Sequence, residues 1–382
     1  MEALVMPPFA SPNPEFWTQR RVLLTGHTGF KGSWLALWLH HLGAQVHGVA
    51  LPPETNPDLF AQLNLSHRLA GHQLHDIDDA KGLTELVVDV QPEIVLHLAA
   101  QPLVRRSYYD PLQTWSTNVM GSLHLLEALK SLRHPCAVVM VTTDKVYANQ
   151  EWDYGYREED RLGGHDPYSA SKAAAELAIS SWRASFCGTS DHQTPYLAIA
   201  TARAGNVIGG GDWACDRLIP DAMRALCAGK SIPVRSPKAT RPWQHVLDPL
   251  AGYLRLAERL HSTQSDLVRV SDVAGNRFMT AFNFGPSLEG NRTVVELIKA
   301  VLGHWPGEWV DLSDPSAPHE ASRLHLQIDK AHHQLGWQPR WDFATTVART
   351  VGWYCAVHEG ANPLDCCLAD LEAYQEQSAH AH

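Results

Sequence analysis

The 382-residue sequence has no cysteine framework: its seven cysteines are odd in number, scattered, and form no Cys-x-x-Cys pair. A disulfide scaffold is thereby excluded, and the pattern suits a reducing cytoplasm. The 22 histidines include no His-x-x-x-His pair with an acid nearby, so no metal site is expected. No apolar run is long enough to span a bilayer. The stretch 1–15, with Pro-Pro and Pro-Asn-Pro, lacks the basic start and apolar core of a signal peptide and is expected to be a surface arm. Positive charge is short: 31 Lys and Arg against 41 Asp and Glu give a net charge of −10, and the basic residues form no block. Nucleic acid and membrane are therefore not expected partners. An acidic chain repels anions at long range, so a phosphate-bearing ligand must be held by a few local arginines and backbone amides.

From Arg21 onward, short apolar runs alternate with segments of helical period, the pattern of a parallel sheet with crossover helices. Strands are expected at Val22–Thr25, Gln45–Val49, Leu69–Leu74, Ile94–Leu98, Ala137–Val141 and Leu197–Arg203. Helices are expected at Lys31–Leu42, Lys81–Val90, Gln113–Ser131 and Ser169–Phe186. After Gly205 the composition shifts to Gly209-Gly210-Gly211 and frequent proline, where a second domain is expected. The sequence thus predicts an α/β protein. A Rossmann-type doubly wound parallel sheet covers 16–205, with segments near 245–285 returning to it, and a smaller α/β substrate-binding domain is drawn mainly from 206–370.

Gly26, Gly29 and Gly32 follow the first strand and open the first helix. Gly26 suits a tight turn, Gly29 lets backbone approach a pyrophosphate, and Gly32 permits close helix–strand packing, with helix N-terminal amides facing the phosphates. The acid that usually follows about 20 residues on is missing from Val46-His-Gly-Val-Ala-Leu-Pro-Pro, so this position does not separate NAD from NADP. Asp76 and Ile77 follow the third strand, where a carboxylate suits the adenine amino group and Ile77 its ring; Asp76 serves equally as a turn cap. Small residues at Ala99 and Ala100, before Gln101, leave room for a cofactor or simply pack.

Tyr168 and Lys172 are four residues apart at a helix start, so both side chains share one face. A lysine there favours phenolate and lets Tyr168 take a proton from a sugar hydroxyl. Thr143, Asp144 and Lys145 end the preceding strand, where an open α/β sheet places its chemistry. Thr143 suits a hydrogen bond to the same hydroxyl. An adjacent acid and base exceed what simple oxidation needs, and Asp144 as an acid requires a raised pKa; the bland alternative is a solvated loop pair.

With Gly-His-Thr-Gly-Phe-Lys-Gly-Ser-Trp (26–34), Ala-Ala-Gln-Pro-Leu-Val-Arg (99–105), Arg-Ala-Gly-Asn-Val-Ile-Gly-Gly-Gly-Asp-Trp (203–213) and Arg-Pro-Trp-Gln-His-Val (241–246), the chain resembles the extended short-chain dehydrogenase/reductase superfamily. Thr-Asp-Lys at 143–145 is similar to the CDP-glucose branch of its sugar-nucleotide 4,6-dehydratases. The resemblance implies NAD as cofactor, a CDP-sugar as substrate and a homodimer formed through the helices at 113–131 and 169–186. It implies Thr143, Asp144, Lys145, Tyr168 and Lys172 as catalytic residues, with Asn206, Arg217, Arg241 and His319 at the substrate. Cofactor contacts are implied for Gly26, Thr28, Gly29, Phe30, Lys31, Gly32, Asp76, Ile77, Ala99, Ala100 and Gln101, together with Tyr168 and Lys172. The rival readings are another dehydratase or epimerase on the same scaffold, and a non-catalytic NAD-binding protein.

Overall fold

The computed structural model describes residues 11–188, 193–270, 276–314 and 323–376. Seven parallel strands form one sheet: β1 (Arg21–Thr25), β2 (Gln45–Ala50), β3 (Gly71–Leu74), β4 (Ile94–His97), β5 (Cys136–Val141), β6 (Leu197–Ala204) and β7 (Ala281–Phe284). Their order is β7-β6-β5-β4-β1-β2-β3, the doubly wound arrangement expected from the sequence. Both faces of the central strands are covered, so these strands are buried along nearly their whole length, the polar Thr25, His97, Thr201 and Arg203 included, while the edge strand β3 is part-exposed. In β1, Leu24 faces one core and Leu23 the other, both fully buried, and all six residues of β5 are buried.

The helices that matter here are α1 (Phe30–His41), α2 (Ala80–Val90), α3 (Val104–Tyr109), α4 (Pro167–Phe186), α5 (Leu247–Val270), α6 (Phe343–His358) and α7 (Pro363–Glu376). On one face, α2 and α4 pack over Leu23, Val95 and Val138. On the other lie α1 and α5, with α6 and α7 outside them. Helix α1 is apolar all round rather than striped, and such a helix has to be buried on every side. Trp34, Leu35, Trp38 and Leu39 are fully buried, and Trp38 meets the Tyr374 ring of α7 edge-on at 5.8 Å. The strand order reverses between β1 and β4, which opens a crevice at the carboxyl ends of the strands.

The single helix expected at 113–131 is instead three pieces: Pro111–Trp115, a π-helical turn Ser116–Gly121, and Ser122–Leu129. The wide turn aims Asn118 inward, where its Nδ2 donates to Gln101 O at 3.2 Å and Ser171 Oγ at 2.9 Å, and its Oδ1 accepts from Gln101 N at 2.9 Å. Beyond residue 206 the described residues add three strand pairs: Val207–Ile208 with Gln244–His245, Thr240–Pro242 with Asn291–Thr293, and Ile232–Val234 with Trp309–Asp311. Among the described residues no helix is long and apolar enough to cross a membrane, and no cluster of His, Cys, Asp or Glu is arranged to hold a metal ion.

Asp370 on α7 is buried, with Arg349 Nη1 3.5 Å away, and burial lifts its pKa to about 7. A raised carboxylate contributes stability that is complete below its ordinary range and is lost as pH climbs through the folded value. Asp370→Asn is therefore expected to raise Tm at about pH 8 and to leave it unchanged at about pH 4. Thermal unfolding at the two pH values checks this; an equal shift at both would refute it.

Candidate active site

A cleft of about 620 Å³ runs along the carboxyl ends of β1, β2, β4 and β5 and under the segment 204–243. Its floor is the glycine turn. Gly26 sits in the left-handed region at φ +77°, and a Cβ there would lie 2.7 Å from Ala99 N. A Cβ on Gly32 would collide with the Gly26 carbonyl. Gly29 differs: its Cβ would meet only Gly26 O, at an ordinary 3.5 Å. Two of the glycines are thus required by the protein's own packing, while Gly29, exposed at the head of α1, leaves backbone open to a ligand. An open glycine at the N-terminus of a buried helix suits the pyrophosphate of a dinucleotide.

Thr28 Oγ1 donates to Leu51 O at 2.8 Å, fastening the turn to the segment after β2. Phe30 lines the cleft, and Lys31 donates to the Tyr253 hydroxyl at 3.1 Å. Burial lowers Lys31 to about 7, with Arg217 and Lys172 adding to the effect and Asp144 opposing it. Asp76 and Ile77 line the same wall. Asp76 Oδ1 also accepts from Asp78 N at 3.0 Å, so it caps its turn and faces the cleft at once. Ala99 and Ala100 line the cleft as well. Gln101 is turned into the protein, its Nε2 donating to Thr114 Oγ1 at 2.9 Å and Leu103 O at 3.1 Å, so it shapes the wall.

The residues expected to be catalytic come from two elements. Thr143 caps the short 3-10 turn Asp144–Val146 that ends β5. On α4, Asp166 accepts from Ser169 N at 2.9 Å and Pro167 opens the helix, so Tyr168 falls in its first turn. The Tyr168 amide donates to Ser107 Oγ of α3 at 3.1 Å, fixing the helix start. Thr143 hydrogen-bonds the Tyr168 hydroxyl and donates to Asp144 Oδ1 at 3.0 Å, and Lys145 Nζ lies 6.0 Å from the centre of the Tyr168 ring. Thr143, Asp144, Lys145, Tyr168 and Lys172 all face the one cleft.

Burial dominates the electrostatics. It raises Asp144, against the pull of Lys145, the Thr143 hydroxyl, Arg241 and Lys31. It lowers Lys172 to about 8, with Glu176 opposing. The phenol does not fall as the lysine spacing suggests: burial pushes Tyr168 up to about 12, against the Thr143 hydrogen bond. The reason is desolvation of the buried phenol, reinforced by the nearby Asp144 and Asp166 carboxyls and only partly offset by Arg217.

Asn206, Arg217 and Arg241 line the cleft, while His319 lies outside the described residues. Arg217 Nη1 pairs with Asp212 Oδ2 at 3.0 Å, and Arg241 Nη1 donates to Thr240 O at 3.0 Å. Sequence reasoning missed three features of the site. Arg235 lines the cleft, paired with Asp216 at 2.9 Å and Asp221 at 3.3 Å. Arg105 and Arg106 of α3 reach from the rim to Asp216 at 3.8 Å and Glu54 at 2.7 Å. Gly205 makes room for Asp144, since a Cβ there would stand 2.8 Å from its Oδ2. The arginines carried a signal, being rare cations in an acidic chain; Gly205 carried none.

A doubly wound sheet with an open glycine turn at its switch point, and a Tyr-x-x-x-Lys helix facing a buried acid, defines a dinucleotide-dependent enzyme of the short-chain dehydrogenase/reductase class. The family model for GDP-mannose 4,6 dehydratase matches residues 23–350. The chain belongs to that family of sugar-nucleotide dehydratases. It is 45% identical over 361 residues to a CDP-glucose 4,6-dehydratase of Salmonella typhimurium, covering 94% of this chain and 97% of the relative. A dTDP-glucose 4,6-dehydratase of Xanthomonas campestris pv. campestris is 29% identical over 352 residues, 87% of this chain and 92% of the relative. Among solved structures, a dTDP-glucose 4,6-dehydratase of Streptomyces venezuelae with NAD bound superposes with a TM-score of 0.71 at 26% identity, covering 90% of this chain and 99% of that one.

Proposed function

We propose that this chain is a CDP-glucose 4,6-dehydratase, converting CDP-D-glucose to CDP-4-keto-6-deoxy-D-glucose and water. The observation that carries the reading is the Thr143-Asp144-Lys145 triple facing Tyr168 across one cleft, with Asp144 buried and its pKa raised. An epimerase has no use for an acid and a base beside the oxidising tyrosine. The Salmonella relative, at 45% identity, supports CDP-glucose as the substrate.

The open Gly29 backbone, the Thr28 tie and the wall of Asp76, Ile77, Ala99 and Ala100 fit NAD, and these residues would hold it. When bound, NAD supplies the acceptor that oxidises C4 of the hexose and the reductant that completes C6. Tyr168 removes the proton from the C4 hydroxyl, with Thr143 holding both oxygens and Lys172 stabilising the phenolate. The resulting 4-keto group acidifies C5, whose proton Lys145 takes. Asp144 gives its proton to the departing C6 hydroxyl, which leaves as water. Burial favours the protonated form of Asp144 that this step uses. Asn206, Arg217 and Arg241 orient the nucleotide diphosphate, the guanidinium forks matching paired phosphate oxygens, and Arg235 joins them from the same wall. The segment from 206 onward thus supplies the substrate side of the cleft, opposite a cofactor side built before it.

Incubation with CDP-, dTDP-, UDP- and GDP-hexoses tests the reading. CDP-glucose is expected to yield a product lighter by one water, carrying a single solvent deuteron at C5 when the reaction runs in deuterated water. A product of unchanged mass would establish the epimerase reading instead.

The exposed apolar residues Tyr109, Leu112, Trp115 and Met120, with Leu177 on α4, support a homodimer through these helices. The free thiols throughout support a cytoplasmic setting.

A further inference from the structure

One turn beyond Lys172, on the same stripe of α4 as Tyr168 and Lys172, Glu176 is only 2% exposed and lies outside the cleft. Its carboxylate accepts four hydrogen bonds. Oε1 takes Thr142 Oγ1 at 2.6 Å and Arg203 Nε at 3.0 Å; Oε2 takes Thr201 Oγ1 at 2.9 Å and Arg203 Nη2 at 2.8 Å. Arg203 Nη1 donates to the Tyr147 hydroxyl and to Glu158 O, each at 2.9 Å, and Tyr147 in turn donates to Asn283 Oδ1 of β7 at 2.7 Å. Thr142 stands immediately before the Thr143–Lys145 triple and Tyr147 two residues after it. A single carboxylate therefore ties both ends of the loop that carries Asp144 and Lys145 to the helix that carries Tyr168 and Lys172.

A buried ion pair is a poor source of net stability, since well-packed apolar residues of similar size often do as well or better. What four converging donors provide is a fixed geometry. Chemistry that needs a tyrosine, an acid and a base to converge on one hexose needs that geometry, because a 1 Å displacement costs roughly 10²-fold in rate.

We propose that Glu176 is the positioning residue of this active site, clamping α4 to the ends of β5 and β6 so that Tyr168 and Lys172 meet Thr143, Asp144 and Lys145 in register. Its charge has a second effect. The groups facing Lys172 are Tyr168 and Glu176 on its own helix, His97 from β4 and Lys31 from α1. Of these, Glu176 is the carboxylate, and it opposes the loss of the Lys172 proton.

The assay, though not the geometry, rests on the dehydratase reading, so wild-type turnover of the four hexose nucleotides is measured first. Failure on CDP-glucose would count against the functional reading alone, and the clamp is then tested on whichever nucleotide is turned over. Thr142→Val is expected to lower kcat about tenfold, leaving KM and the alkaline limb of the kcat–pH profile in place. Glu176→Gln is expected to lower kcat by roughly 10²-fold and to move that limb about one unit toward acid, because Lys172 loses its facing carboxylate. Glu176→Asp should restore the limb and part of the rate. Wild-type kcat and limb in these variants, with only Tm reduced, would overturn the proposal. If Glu176→Gln does not fold, wild-type kcat in Thr142→Val is sufficient to overturn it.

Discussion

Tyr168→Phe is expected to leave a folded enzyme that binds the nucleotide sugar normally and turns over roughly 10²–10⁴-fold more slowly. The variant removes one oxygen from a ring that is 7% exposed, and the ring's packing is unchanged. What disappears is the group proposed to take the C4 proton, together with the partner of the Thr143 hydroxyl. Because burial raises the phenol to about 12, the step it performs is uphill at neutral pH until substrate and Lys172 stabilise the phenolate. The wild-type rate should therefore climb with pH across the neutral range, and residual activity in the Phe variant should be flat there. Steady-state rates and the Kd for CDP-glucose check this; unimpaired turnover would remove Tyr168 from the scheme.

The second large effect is expected at the acid. Asp144→Asn keeps the size of the side chain and an oxygen to accept from Thr143, but it carries no proton to give. Loss of water should fall by roughly 10²–10⁴-fold. In the proposed scheme neither oxidation at C4 nor removal of the C5 proton draws on Asp144, so solvent deuterium should still enter C5 of a sugar that keeps its C6 oxygen. That combination, exchange without elimination, is read by mass spectrometry. The folded state should not suffer. Burial favours the protonated carboxyl, whose stabilising contribution is lost as pH rises through its raised value, so a neutral amide is at no disadvantage at neutral pH. Normal product formation would refute the acid role.

Much of this was legible in the residues. Strands buried on both faces are predominantly apolar, so the runs in β1, β4, β5 and β6 stood out despite Thr201 and Arg203 in β6, and the crossover helices could be placed between them. Gly26 and Gly32 were readable because the turn forces their identity. That Thr143, Asp144, Lys145, Tyr168 and Lys172 line one cleft was readable because the carboxyl end of a strand and the start of a helix lie at the same edge of such a sheet. The π-turn at Ser116–Gly121 was not, since the groups that meet its inward Asn118, on Gln101 and Ser171, lie outside its own helical segment. Nor was the rise of the Tyr168 pKa, because helical spacing reports which side chains are neighbours but not how much water they have lost. The pairing of Arg235 with Asp216 likewise depends on chain segments meeting in three dimensions, whereas Arg217 pairs with an aspartate five residues back.

Helix α1 presents its N-terminus to the dinucleotide site and its flank to the last two helices, Trp38 lying against Tyr374. Ligand affinity and the docking of α7 are then expected to be coupled. Occupying the glycine turn should steady α1 and with it the seat of α7, so that α7 should resist proteolysis better in saturating dinucleotide. By reciprocity, removing α7 should weaken dinucleotide binding at a distance, with no atom of the glycine turn altered.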